Sequence, residues 1–97
     1  MTKGYWLARL DISDRETFAE YRKHNAMPIA KFGGKFIVKG GKAETVRGPA
    51  RAENVVIEFD SYEKAAACFH SDDYQAAAQY LKRACSTIEF VIVEGSD

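Results

Sequence analysis

A chain of 97 residues is long enough for one domain with its own core, and short enough that association with a second copy would help to stabilise it. We expect a single domain over residues 1–97. The 14 basic and 14 acidic side chains give a formal net charge of zero. This balance argues against DNA or a membrane surface as the main partner, because phosphate binding usually leaves a basic footprint.

The start of the chain has no feature of an export signal or a membrane span. MTKGYWLARLDISD contains neither a long apolar run nor a small-residue cleavage site. We therefore expect a soluble protein of the cytoplasm. The two cysteines, Cys68 and Cys85, suit a reducing compartment better than a disulfide scaffold. We expect both to pack as small apolar side chains.

The first strand and the first helix follow each other closely. YWLARL, residues 5–10, carries apolar side chains on both faces and predicts a central strand. Ser13 is followed three residues later by Glu16, a spacing that is typical of a capping box. We expect Ser13 to cap the first helix.

Asn25 is the polar exception on the apolar face of this helix. At 100° per residue it falls in the middle of a stripe formed by Phe18, Tyr21, Ile29 and Phe32. Pro28 removes one helical hydrogen bond, so we expect the helix to bend near Asn25, or to end there before a final short turn. Either Asn25 lines a pocket, or its amide binds backbone that Pro28 leaves free.

The remaining elements complete a βαββαβ order. Strands are predicted at KFIVK (35–39), NVVIEF (54–59) and IEFVIVEG (88–95). Ser61 and Ser71 are each placed to cap a helix, so two consecutive helices, or one helix with a joint, separate the last two strands. The glycines in FGGK should end the first helix through a left-handed residue.

These elements predict an α+β, ferredoxin-like fold with two helices on one face of a four-stranded, mainly antiparallel sheet. Both faces of the strands are apolar: on the first strand Trp6, Ala8 and Leu10 oppose Tyr5 and Leu7. Helices can cover only one face, and a bare apolar face is unusual in a monomer. We therefore predict a two-fold homodimer in which the open faces meet.

The segment KFGGKFIVKGG has the glycines and lysines of a phosphate-binding loop but not its order of elements. A dinucleotide or Walker loop places its glycines between a strand and the start of a helix. Here the first pair follows a helix and the second follows a strand. The segment therefore indicates turns, with anion binding through Lys35, Lys39 or Lys42 as the alternative.

Three segments together resemble a known family. KFGGKFIVKGG, NVVIEFDSYEKAAACFHSDDYQ and the closing VIVEG are similar to domain of unknown function 1330, within the dimeric α/β-barrel superfamily. The resemblance covers nearly the whole chain. It implies a dimer with a pocket but no particular reaction, since superfamily relatives include cofactor-free monooxygenases, isomerases, dehalogenase-like enzymes and ligand-sensing regulatory domains.

A pocket between sheet and helices is the expected ligand site. Asn25, Tyr21 and Tyr74 face inward by periodicity, and we expect them to bind a small molecule. His70, at a helix junction, is the candidate catalytic acid or base; the alternative is a surface histidine at a helix end. Two functions stay open: a cofactor-independent enzyme and a non-catalytic, metabolite-binding or regulatory dimer.

Arg9 and Glu58 interrupt the two central strands. The simplest interpretation is an ion pair between neighbouring strands, and the alternative is a pair that binds a ligand inside the dimer. No metal or cofactor is expected, because Cys68 and His70 point away from each other on a helix. Nucleic acid is not expected as a partner either, since NVVIEF lacks the aromatic signature of an RNA-recognition strand.

Overall fold

The computed structural model describes residues 2–96. Three helices and four strands follow one another along the chain, and together they form one layer of helices on one sheet. In chain order they are β1 (Gly4–Ile12), α1 (Arg15–Lys31), β2 (Lys35–Lys39), β3 (Glu53–Phe59), α2 (Tyr62–His70), α3 (Asp72–Ala84) and β4 (Cys85–Glu94).

The sheet has the order β2-β3-β1-β4, and every neighbouring pair is antiparallel. β1 and β3 are therefore central, as their two apolar faces predict. Their register places Trp6 opposite Ile57 and Leu7 opposite Val56. The predicted ferredoxin-like fold is confirmed.

The start of α1 differs from the prediction. Asp14, not Ser13, caps the helix: its carboxylate accepts a hydrogen bond from the Thr17 amide. The Thr17 hydroxyl donates to the same carboxylate at 2.7 Å, and this bond, together with that of the amide, lowers the pKa of Asp14. The Ser13 hydroxyl instead donates to the Ala84 carbonyl, which ties the start of α1 to the end of α3.

Pro28 does not end α1, which runs on to Lys31. The proline lies in the last turn, so only one helical hydrogen bond is lost there. Its ring is almost fully buried in the core, and its carbonyl accepts from the Phe32 amide and from the Cys68 thiol. Gly33 then takes a φ of 79°, the left-handed conformation that the sequence predicts for ending this helix.

Trp6 is the centre of the core between sheet and helices. Its indole contacts the rings of Phe59, Tyr74 and Phe90, with centroids 5.1, 4.8 and 5.2 Å away. Its Nε1 donates to the Ala65 carbonyl in α2 at 2.8 Å. The indole is therefore packed on its faces and satisfied at its one polar atom, as a buried tryptophan requires.

The two predicted caps separate α2 from α3. The Ser61 hydroxyl accepts from the Lys64 amide, and the Ser71 hydroxyl accepts from the Tyr74 amide. Ser71 also ends α2, since its own amide donates to the Cys68 carbonyl. The chain turns at this serine, and the turn directs Tyr74 into the core.

The sheet face away from the helices carries a mixture of apolar and charged side chains. We call it the open face, and its members include Tyr5, Leu7, Arg9, Asn54, Val56, Glu58, Glu89, Val91 and Val93. Leu7, Val91 and Val93 are exposed large apolar side chains. No helix of residues 2–96 covers this face, and the β2–β3 connection contacts it only at one end, where the Pro49 carbonyl accepts from Arg9 and Arg51 pairs with Glu89. No helix of the described chain is long and apolar enough to cross a membrane.

Candidate functional site

A cavity of about 510 Å³ lies between α1 and the sheet. Its apolar lining comes from strands and helices alike: Leu10, Phe18, Phe36, Val55 and Leu81. The volume lies within the range of about 300–1,000 Å³ that is typical of small-molecule sites. The cavity can therefore hold an organic molecule of ordinary metabolite size.

Asn25 and Tyr21 bring polar atoms to this apolar lining. Each is only 7% exposed, and both lie on the face of α1 that turns toward the sheet. Burial raises the pKa of Tyr21, and the interaction of its hydroxyl with the Asn25 amide offsets only part of that rise. An amide has two donor hydrogens and an oxygen that accepts two bonds, so one contact leaves capacity for a ligand. The predicted inward position of Asn25 is confirmed.

Tyr74 supports Tyr21 from behind the cavity. The two hydroxyl oxygens are 2.8 Å apart, and Tyr74 is fully buried. Burial raises the pKa of both phenols, because water cannot reach either oxygen to solvate a phenolate. Tyr74 does not line the cavity, so the structure places it as the partner of Tyr21 and not as a direct ligand contact.

Charged side chains surround the mouth of the cavity. Arg15 and Arg22 come from α1, Lys39 from the end of β2, and Glu53 from the start of β3. Arg15 pairs with Glu53, with 3.6 Å between Nη1 and Oε1. The Lys39 ammonium lies 4.9 Å from the centre of the Phe36 ring. The mouth therefore carries three cations and one carboxylate.

Gly40 lets the mouth close around Glu53. A β-carbon on Gly40 would stand 2.7 Å from the Glu53 carboxylate, and the φ of 73° favours glycine in any case. Gly40 and Gly41 both border the cavity. The second glycine pair of KFGGKFIVKGG thus forms a turn, as predicted, and it also forms part of the cavity wall.

His70 is not brought to the cavity. It is the last residue of α2, its side chain is exposed, and its ring lies edge-on to Phe69 at 5.2 Å. The sequence predicts a pocket that His70 shares with Asn25, but the two residues lie on different helices and only Asn25 faces the cavity. A catalytic role for His70 stays a prediction.

The predicted ion pair between Arg9 and Glu58 does not form. In the antiparallel register Arg9 lies opposite Asn54, whereas Glu58 lies opposite Tyr5, four residues along β1. Arg9 donates to Asn54 Oδ1 at 3.1 Å and lies 3.6 Å from Glu89. Glu58 faces Lys3 at 3.9 Å. Both belong to the open face, so neither lines this cavity.

Sequence patterns missed most of the charged mouth. Arg15, Arg22 and Glu53 sit at element ends or on exposed helix positions, where charge is ordinary and carries no signal of its own. Lys39 alone was singled out, as an alternative anion contact of the glycine-rich segment. Within residues 2–96, no three His, Cys, Asp or Glu side chains come together as a metal site.

Comparison with known proteins gives a family and several structural relatives. The chain is similar to a protein of unknown function from Rhodopseudomonas palustris, with a TM-score of 0.78, 14% identity and coverage of 99% of this chain and 84% of the other. A dimeric ferredoxin-like protein of unknown function from Jannaschia has a TM-score of 0.67, 15% identity and coverage of 94% and 97%.

A third structure is that of a protein proposed to be an antibiotic biosynthesis monooxygenase from Caulobacter crescentus. Its TM-score is 0.64, the identity is 12%, and 99% of this chain and 92% of the other are covered. At these identities the likeness shows a shared fold. No curated protein matches the sequence significantly. The model of one family, described as a domain of unknown function (DUF1330), matches residues 3–96, and the chain therefore belongs to that family.

Proposed function

We propose that this protein is a homodimer that binds a small organic molecule in the cavity between α1 and the sheet. The observation that carries the proposal is the nearly buried amide of Asn25, which borders a cavity beside the apolar side chains of Phe18 and Phe36. This amide contacts the Tyr21 hydroxyl, and its remaining donor and acceptor capacity is available to a ligand. The phenol of Tyr21 adds a second polar group that is held in place from behind by Tyr74.

The side chains around the cavity are better suited to binding than to proton transfer. An efficient general acid or base has a pKa near the working pH. Burial raises the pKa of Tyr21 above its ordinary value, which moves that phenol further from neutrality. The carboxylate of Glu53 is already paired with Arg15. The Tyr21 phenol and the Asn25 amide are thus suited to donate and accept hydrogen bonds.

A cofactor-independent enzyme is the second candidate. The similarity in fold to a protein proposed to be an antibiotic biosynthesis monooxygenase favours it. In that case Asn25 and Tyr21 would hold the substrate, and His70 would have no contact with it from its position at the end of α2. A bound molecule that returns chemically unchanged after incubation in air supports the binding protein, and a converted one supports the enzyme.

The ligand site can be tested by filling the cavity from its wall. Ala26 lines the cavity on α1 and is exposed, so Ala26→Phe adds a ring to the cavity with little effect on the core. Ala76→Phe is the matched control, because Ala76 is exposed on α3 and does not line the cavity. We expect native mass spectrometry of gently purified protein to show a retained small molecule in wild type and A76F. Equal retention in A26F would place the ligand elsewhere.

The open face supports the homodimer. The central strand β1 and the edge strand β4 present Leu7, Val91 and Val93 there as neighbouring exposed apolar side chains. A second copy would remove this apolar area from water, and two-fold pairing lets the same face serve both partners. Relatives of the same fold, including the Jannaschia protein, are described as dimeric.

One substitution with a matched control tests the dimer. Val91→Asp would bury a carboxylate without a partner between the two sheets, which disfavours association. Val46→Asp makes the same change on the β2–β3 connection, where Val46 is 80% exposed. We expect sedimentation to give a dimer for wild type and V46D and a monomer for V91D. A wild-type monomer at micromolar concentration would reject the homodimer.

A further inference from the structure

The charges at the mouth of the cavity do not balance, although those of the whole chain do. Three cations and one carboxylate border the cavity, and the single carboxylate, Glu53, is engaged by Arg15. Within residues 2–96, Arg22 and Lys39 form no ion pair. The cavity therefore opens beneath two positive charges that nothing in the described chain neutralises.

The interior beneath these charges is apolar and aromatic. Phe18 on α1 and Phe36 on β2 line it, and the Lys39 ammonium stands over the Phe36 ring at 4.9 Å. This cation–π contact holds the ammonium beside the apolar lining. A ligand that filled the cavity would place an apolar body between the two phenylalanines and could direct one end toward Lys39 and Arg22.

We propose that the cavity selects a small organic anion with an apolar body, its carboxylate or similar group held by Arg22 and Lys39 at the mouth. The proposal rests on the small-molecule-binding function above and adds the class of ligand. Asn25 lies deeper, at 7% exposure, and is available for a second polar group at the other end of the molecule. An inorganic anion alone does not fit this description, because it would leave the apolar lining empty.

Glu53 lowers the positive charge at the mouth and so limits the affinity of the cavity for anions. Its carboxylate neutralises Arg15 and is itself only 27% exposed, packed beside the backbone of Gly40. Replacing it by glutamine keeps the shape, frees Arg15 and raises the net charge of the mouth from +2 to +3, since three cations would then face no carboxylate. The structure therefore assigns Glu53 as a residue that limits anion affinity.

A pair of probes that differ mainly in charge tests the proposal: 2-naphthoate and its neutral amide, 2-naphthamide, titrated calorimetrically at low ionic strength. We expect naphthoate to bind about tenfold more tightly than naphthamide, because two partly exposed ion pairs together contribute roughly that factor. The preference should fall to less than about threefold in the double variant Arg22→Gln/Lys39→Gln. Lys82→Gln, which makes the same change of charge on the exposed side of α3, should keep it.

Glu53→Gln provides a test in the opposite direction. It should tighten naphthoate binding by about threefold and leave naphthamide unchanged. A gain for both probes would contradict a charge effect. The increased preference should also shrink as salt is added, because screening weakens charge attraction at a partly exposed site.

The outcomes separate this proposal from the function on which it rests. Equal affinity for the two probes, or a preference that survives R22Q/K39Q, would overturn selection by these cations. If naphthamide binds as well as naphthoate and A26F abolishes both, the small-molecule site stands and anion selection is rejected. If neither probe binds wild type at millimolar concentration, an apolar anion of this kind is not the ligand and the proposal fails.

Discussion

The buried pair of Tyr21 and Tyr74 leads to an asymmetric stability prediction. Their hydroxyl oxygens are 2.8 Å apart. Tyr74 is fully buried and does not reach the cavity, so Tyr21 is its partner, whereas Tyr21 also interacts with the Asn25 amide. Removing the Tyr21 hydroxyl therefore leaves that of Tyr74 without a partner, whereas removing the Tyr74 hydroxyl leaves that of Tyr21 with Asn25.

The expected free energies follow from what remains unsatisfied. Tyr21→Phe leaves the Tyr74 hydroxyl buried without a partner, which costs about 1–3 kcal/mol of unfolding free energy. Tyr74→Phe leaves Tyr21 with Asn25, and the loss of one net hydrogen bond costs about 1 kcal/mol. The double variant removes both hydroxyls and should cost no more than Y21F alone. The sum of the single effects should thus exceed the effect of the double variant by about 1 kcal/mol.

Urea unfolding of the four proteins measures these differences directly, with the fluorescence of Trp6 as the probe because its ring lies 4.8 Å from that of Tyr74. If the four proteins have the same m-value, the same surface is exposed when each of them unfolds, and their free energies of unfolding can be compared. Equal and additive single effects would refute the reasoning, since they would mean that the two hydroxyls do not depend on each other.

Two further predictions concern packing and ionisation. Gly34→Ala should lower the free energy of unfolding in urea by about 1–3 kcal/mol. The new β-carbon would stand 2.6 Å from Ile29 Cγ2 and 2.8 Å from Phe59 Cε2. A loss below about 0.5 kcal/mol would contradict this prediction, because it would show that the core adjusts freely. Burial raises the pKa of the Cys68 thiol to about 12, so at pH 8 Cys68 should resist a disulfide reagent until the protein is unfolded. Because Cys85 is only partly buried, rapid reaction of both thiols in the native protein is the result that would contradict the burial of Cys68. The same shift makes the folded state less stable as pH rises from 9, the ordinary pKa, toward 12, with a slope of at most about 1.4 kcal/mol per pH unit that Cys68→Ala should remove.

The elements of the fold could be predicted because their sequence signals are local. Ser61 and Ser71 cap helices where the pattern places them, and the two strands with apolar residues on both faces, β1 and β3, are the central ones. The error at the start of α1 has a non-local cause. Asp14 and Ser13 are both good caps, and the choice depends on a contact with Ala84 at the far end of the chain, which the local pattern does not contain.

The site was only partly predictable, because register and helix direction decide which polar groups meet. A shift of a few residues along β1 separates Arg9 from Glu58, although both lie on neighbouring central strands. Asn25 was found since a polar residue on an apolar face is unusual. Arg22 is an exposed cation on a helix, which is ordinary in a sequence, and only the structure shows that it borders the cavity.

The position of the ligand site is tested most directly by locating a bound probe through changes in amide chemical shifts. Nitrogen-15-labelled protein titrated with 2-naphthoate should show its largest changes around the cavity, at residues such as Phe18, Asn25 and Gly41. The amides of Leu7 and Val91 on the open face, and that of His70, should change little. Changes centred on the open face or on His70 would contradict the central claim that the ligand site lies between α1 and the sheet.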